Sequence, residues 1–298
     1  MEGFDCPLDV RSVTGYDGTR ITYYVAGRGK RRWVLAPGLG TNIHCWKYLF
    51  EHFQDRFTMV TWDPRGTYRS GVPADLSHLR VEDHARDMVS VCEALGWKRF
   101  VAGGWSMGVQ ISLEYASRFP KNVTALTLIN GPYQYVLSTA LGVDFLEPVL
   151  KGVLRLGRRL TPLFTPLARR LFRWDGCADL LIRLRLLQGN QEQFKVILGD
   201  FSGMDWGVYL RMIELLHQHS AAPYLSGVAV PTLITAGTHD LMTPMSTAQE
   251  MHGEIEGSEL FIVSGGTHYT MTEFPDELNG GLEAFLRRAD PAAFRVGG

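Results

Sequence analysis

Three residues in this 298-residue sequence are of the types that together carry out acyl transfer. Ser106 sits in Gly104-Trp105-Ser106-Met107-Gly108, a G-x-S-x-G pentapeptide preceded by Gly103. A serine hydroxyl is a weak nucleophile; it needs a base, and the base needs an acid to orient it. Asp240 follows the apolar run Thr232 to Ala236 across Gly237-Thr238-His239. His268 follows the run Glu259 to Val263 across Ser264-Gly265-Gly266-Thr267. The pentapeptide alone is short and common by chance, and a tight connection with an idle serine is its bland alternative. Its weight comes from context, a strand before and a helix after, which put the serine on a strained turn with its Oγ clear of the backbone. The glycines would let that turn close against its neighbours, with Gly103 ending the strand.

Elements able to position these groups alternate along the chain. Val10 to Thr14 and Arg20 to Ala26 predict a hairpin around Tyr16-Asp17-Gly18-Thr19. Strands follow at Trp33 to Ala36, Phe57 to Trp62, Phe100 to Ala102 and Val123 to Ile129, and again at 232–236 and 259–263. Helical spacing marks Cys45 to Phe53, Val81 to Leu95, Met107 to Arg118, Ser246 to Gly253 and Pro275 to Arg288. Such alternation predicts a mostly parallel sheet with helices on both faces, whose strand ends share one functional rim. The segment from about Gly131 to Pro223 differs, with leucine-rich helical periodicity and no clear strand. Thr161-Pro162 and Thr165-Pro166 are expected to break it into short helices.

Several separate motifs make the chain resemble the α/β-hydrolase family along nearly its whole length outside that segment. Ala36-Pro37-Gly38-Leu39-Gly40 is similar to the family's oxyanion loop, and Asp63-Pro64-Arg65-Gly66-Thr67-Tyr68-Arg69-Ser70 to its D-x-R-G-x-G-x-S turn. Gly237 to Pro244 is similar to its acid turn and Gly265-Gly266-Thr267-His268 to its histidine turn. The resemblance implies an α/β-hydrolase fold: a mostly parallel eight-stranded sheet, helices on both faces and a helical cap. The core would be 1–130 and 224–298 and the cap 131–223. It also implies a triad of Ser106, Asp240 and His268, with the Leu39 and Met107 N–H groups as oxyanion hole. Gly38, Trp105 and His44 are expected to border the substrate, although Trp105 could instead pack on the sheet and His44 cap the next helix. Two departures stand out: Pro37-Gly38 replaces a common His-Gly, and Tyr68 replaces a glycine. Asp63 and Arg65 are expected to form a structural pair, Asp83 and Asp87 to lie on a solvated helix face, and His217 and His219 to be surface or packing residues. His239 is at best a pocket residue, and Asn130 holds the place after the sixth strand where some members carry the acid.

Composition bounds the rest. Hydrophobic residues make up 45% of the chain, enough for one large core, and a net charge of -1 argues against a nucleic-acid partner. The start has no basic n-region or apolar h-region, no run of 18 apolar residues occurs, and the four cysteines show no CxxC pair; a cytoplasmic location is expected. No metal or nucleotide motif appears, so no cofactor is implied. The likeness thus points to hydrolysis of a small apolar carboxylic ester, with Val136, Leu137, Leu141, Phe145, Leu146, Leu150, Leu154 and Phe164 supplying apolar surface or ordinary cap packing. Lactone, thioester or C–C bond hydrolysis can use the same triad, and a non-catalytic ligand-binding protein could keep it. Between Lys151 and Arg185 nine basic residues face two acids, +7 against -8 for the rest of the chain. A solvated face, an anionic lipid surface and an anionic substrate or partner would each fit that excess.

Overall fold

The computed structural model describes residues 3–139 and 147–294. Eight strands form one sheet: β1 (Leu8–Thr14), β2 (Arg20–Ala26), β3 (Arg31–Ala36), β4 (Phe57–Trp62), β5 (Phe100–Trp105), β6 (Val123–Ile129), β7 (Thr232–Gly237) and β8 (Glu259–Val263). They lie in the order β1-β2-β4-β3-β5-β6-β7-β8. β1 and β2 form the expected antiparallel hairpin and β2 meets β4 antiparallel, while every pair from β4 to β8 is parallel. The central strands read as unbroken apolar or small runs because both faces are covered; every residue of β5 and β7 is buried.

Among the described residues the α-helices, in chain order, are α1 (Lys47–Phe53), α2 (Val81–Ala94), α3 (Met107–Arg118), α4 (Val136–Thr139), α5 (Glu147–Phe172), α6 (Cys177–Arg183), α7 (Gln191–Phe201), α8 (Trp206–Leu216), α9 (Ala222–Leu225), α10 (Met245–Glu254), α11 (Thr270–Glu273) and α12 (Pro275–Ala289). On one face of the sheet, Met88 of α2, Ile111 of α3 and Met251 of α10 enter a single apolar cluster. On the other, Phe50 and Phe53 of α1 join Leu278 and Phe285 of α12. The sheet is thus covered on both sides, and the carboxyl ends of β5, β7 and β8 open on one rim.

Helices α4 to α9 are inserted between β6 and β7. The two ends of the insertion meet at an antiparallel bridge between Gln134 and Ser220, and Ala221 N donates to Tyr133 O at 2.7 Å. His219 is buried there, with Nδ1 2.5 Å from Gln110 Oε1 and Nε2 3.3 Å from Glu114 Oε2 of α3. His217 is buried too and accepts from Leu137 N, so both histidines pack rather than face solvent.

Several expectations are corrected. α5 is one continuous helix containing both prolines. Pro162 has no N–H for the Arg158 carbonyl, but the Thr161 hydroxyl donates to that oxygen at 2.5 Å. Gly103 lies within β5 and does not end it. A Cβ there would stand 2.1 Å from Thr127 Oγ1, so its bareness serves strand packing. Arg65 pairs with Asp87 and Asp17, not with Asp63. Its Nε and Nη2 reach the two Asp87 oxygens at 2.7 and 2.6 Å, and the pair is wholly buried. Asp83 is also buried and accepts from Tyr16 Oη and Arg80 N. The acidic edge of α2 therefore faces inward, because it packs below the β1–β2 hairpin where the Arg65 turn arrives. Asp63 takes its donors from Tyr24 Oη at 2.8 Å and Arg69 N at 3.0 Å.

Candidate active site

Ser106 lies between β5 and α3 with φ 57° and ψ −121°, a region that L-residues seldom occupy. Close approach sets the flanking glycines. A Cβ on Gly104 would stand 2.1 Å from the Gly108 oxygen, and one on Gly108 2.1 Å from the Ala36 oxygen. The turn can close only when both are bare. It places Ser106 at the N-terminus of α3, where N–H groups without intrahelical partners favour negative charge.

His268 Nε2 lies 2.9 Å from Ser106 Oγ, and His268 Nδ1 lies 2.9 Å from Asp240 Oδ2. A side chain from each of three strand ends thus joins one hydrogen-bonded line. Burial opposes ionisation of Asp240, but the adjacent His268 ring and the Thr243 donors outweigh it and hold the carboxyl below its usual range. Met242 N and Thr243 N donate to Asp240 Oδ1 at 2.9 and 2.8 Å, and Thr243 Oγ1 donates to Oδ2 at 2.7 Å. Such an arrangement can hold an anion facing an imidazole and fix the ring so that Nε2 can accept the serine proton.

Two supports had not been singled out as such. Asn130, at the end of β6, donates to Asp240 Oδ2 at 3.3 Å and to Thr267 O at 3.2 Å. Its own oxygen accepts from Thr270 Oγ1 at 2.8 Å, so the amide at the alternative acid position links the acid turn to the histidine turn. Thr243, three residues after Asp240, follows the local side-chain-to-backbone turn pattern, a signal legible in sequence. Tyr68 has φ 45°, where glycine is the usual occupant, and its hydroxyl donates to Gly40 O at 2.5 Å. The departure from the family pattern thus ties the D-x-R-G turn to the loop after β3.

Met107 is the first residue of α3, and Leu39 lines the adjoining cavity. Gly38 packs against Trp105: a Cβ there would stand 2.8 Å from its ring. Trp105 both packs and lines the cavity, and its Nε1 donates to His268 O at 2.8 Å. His239 lines the cavity as well. His44 does not. It borders a second cavity with Asp63, Tyr68 and Asp200, its Nε2 3.6 Å from Asp200 Oδ2, and Asn42 rather than His44 caps the turn there.

The cavity lined by His268 and by Trp105, the residue before Ser106, measures about 260 Å³. Its walls are mostly apolar, with Phe194, Ile197, Leu198 and Phe201 of α7 and Leu187 and Tyr209 among them. Of the residues expected to supply apolar surface, Leu141, Phe145 and Leu146 lie outside the described residues. Val136, Leu137, Leu150, Leu154 and Phe164 do not line this cavity; Leu137 and Leu154 border a separate basic one, and Phe164 packs on Trp206. Most of the inner face of α5 packs on α8, and within the insertion the wall comes chiefly from α7 and residues 185–187, with single side chains from α5, α6 and α8.

Similar proteins agree in fold and differ in chemistry. The mouse serine hydrolase BPHL is 26% identical over 276 residues, covering 91% of this chain and 84% of that protein. RutD of Klebsiella pneumoniae, named for carbamate hydrolysis, is 26% identical over 258 residues, covering 85% of this chain and 91% of its own. The crystal structure of an enol-lactonase from Burkholderia xenovorans LB400 superposes with a TM-score of 0.75 at 22% identity, covering 93% of this chain and 99% of that one. The model of the alpha/beta hydrolase fold family matches residues 34–275. With its eight-stranded, mostly parallel sheet covered by helices on both faces, this chain belongs to that family.

Proposed function

We propose that the protein is a serine hydrolase that cleaves a carboxylic ester bearing an apolar acyl or alkyl group. The observation that carries this reading is the 2.9 Å and 2.9 Å line from Ser106 through His268 to Asp240, opening on an apolar cavity. As Ser106 Oγ attacks the ester carbon, its proton passes to His268 Nε2. Asp240 holds the tautomer and stabilises the imidazolium. The Leu39 and Met107 N–H groups receive the developing oxyanion, a contribution of about 2.7–4 kcal/mol for each such donor. His268 then protonates the departing alcohol. Water, deprotonated by the same nitrogen, cleaves the acyl-enzyme, and the proton returns to Ser106.

Cavity size narrows the substrate. Sites for drug-sized ligands run to about 300–1,000 Å³, so about 260 Å³ takes one slim chain better than a bulky group. A lactone is an internal ester and would follow the same steps, and enol-lactonases are among the similar proteins. A lactone carrying carboxylates would need cations, however, and Arg185 is the one fixed cation among the described lining residues. A series of 4-nitrophenyl esters tests the reading, with Ser106→Ala as the blank. Octanoate is expected to exceed acetate in kcat/KM. Preference for acetate would remove the apolar acyl site, and no turnover of any ester would remove the ester reading.

A further inference from the structure

Helix α5 carries a stripe that neither the sheet nor the active site uses. Val149, Val153, Leu156, Leu160, Leu163 and Leu167 recur at three- and four-residue intervals and are 41–75% exposed. At 3.6 residues per turn they form one line along the helix. It is not the packing line: the half-buried residues, such as Leu154, Thr161 and Ala168, lie on another face toward α8. A third face carries exposed Arg155, Arg159 and Arg170, part of the +7 excess between Lys151 and Arg185. A helix with apolar and basic faces side by side suits a lipid surface, where the apolar face enters the acyl boundary and the guanidinium groups meet phosphates. No helix among the described residues is long and apolar enough to cross a membrane.

The helix that bears the stripe ends at the catalytic cavity, where its packing face arrives. Phe172, the last residue of α5, lines that cavity. So do Leu186, Leu241 and Met242, which are nonetheless 46–57% exposed and mark its mouth. We propose that α5 docks on an anionic phospholipid surface and sets this mouth against the bilayer, so that the substrate is an acyl ester drawn from the lipid phase. A second copy of the chain is the poorer occupant, since mating two stripes would bring two strongly basic segments together. The substrate half of the inference rests on the ester reading above; the docking half does not.

Docking is tested on the full chain carrying Ser106→Ala, so that turnover plays no part. The probe is co-sedimentation with vesicles of phosphatidylglycerol and phosphatidylcholine, or of phosphatidylcholine alone. Binding to the anionic vesicles is expected to be at least about tenfold the stronger and to fall in high salt. Adding Leu163→Glu with Leu167→Glu should lower it by about tenfold or more. In the Ser106 background that pair should leave turnover of a water-soluble ester unchanged. Equal or absent binding to both vesicles, or binding indifferent to the two glutamates, overturns docking. So does a salt-resistant oligomer in light scattering that the glutamates disperse, which would make a second copy the occupant. For the substrate half, a long-chain 4-nitrophenyl ester dissolved in anionic vesicles should turn over several-fold faster than in neutral ones, and equal rates overturn that half. Vesicle binding by an enzyme with no esterase activity would sink the ester reading and leave docking standing.

Discussion

The rim of the sheet and the helices above it are held together by different physics. At the rim, buried polar groups are satisfied one by one: Asp240 by Met242, Thr243, Asn130 and His268, and Arg65 by Asp87 and Asp17. Above it, aromatic rings pack on one another. Phe172 stacks on Trp206 at 5.6 Å, and Phe201 meets Tyr209 edge-on at 5.3 Å. A polar lattice tolerates few substitutions, because each loss strands a buried partner. Ring packing accepts many combinations of similar volume. The difference separates what the fold keeps constant, the aim of one oxygen, from what it can vary, the group admitted to it.

The sharpest way to break this contrast is to remove one rim partner and one cap side chain. Asp87→Ala leaves the buried Arg65 guanidinium with Asp17 and the His78 carbonyl and should cost about 3–5 kcal/mol in urea unfolding. Leu163→Glu on the outer stripe should change stability by no more than about 0.5 kcal/mol. Similar costs would erase the distinction.

A smaller effect concerns pH. Burial, the main cause, pushes the Asp63 carboxyl up to about 6. In the unfolded chain it titrates near about 3.9. The folded state therefore binds the proton more tightly, and its stability falls as pH rises from about 4 through 6, by roughly 2–3 kcal/mol. Asp63→Asn keeps an oxygen for Tyr24 and the Arg69 N–H. Unfolding midpoints between pH 4 and 8 should decline less steeply in the variant than in the parent, a residual decline staying with Asp87, whose carboxyl burial also pushes up to about 6. An unchanged decline would move the titration to another group.

Smallest is the tie between the D-x-R-G turn and the loop after β3. Tyr68→Phe removes the donor to Gly40 O, worth about 1 kcal/mol. We expect kcat/KM on a soluble ester to fall about fivefold while the melting temperature hardly moves. A large melting shift with unchanged kcat/KM would make Tyr68 purely structural.

The strands and the serine, acid and histidine turns were legible in sequence because each is local. A strand ending in glycines, or an Asp three residues after a glycine, identifies itself within one short window. Pairings across the chain were not. Nothing near Arg65 names Asp87 as its partner, 22 residues away, or turns the acidic edge of α2 inward. The proline rule points to a break in α5, yet the Thr161 hydroxyl takes up the carbonyl that Pro162 leaves without a donor. The cavity wall was misplaced for a related reason. The long leucine stripes of α5 are the strongest apolar signal in the insertion, yet one packs on α8 and the other faces out. Within the insertion the wall comes chiefly from α7 and residues 185–187, whose patterns are shorter.

The central claim is that Ser106 is an activated nucleophile. A long-chain alkyl fluorophosphonate, followed by intact-mass and peptide analysis, tests it on the folded protein. One covalent adduct is expected on the parent, on the peptide containing Ser106, and none on Ser106→Ala. No adduct on the folded parent, or an adduct that persists in Ser106→Ala, would contradict it.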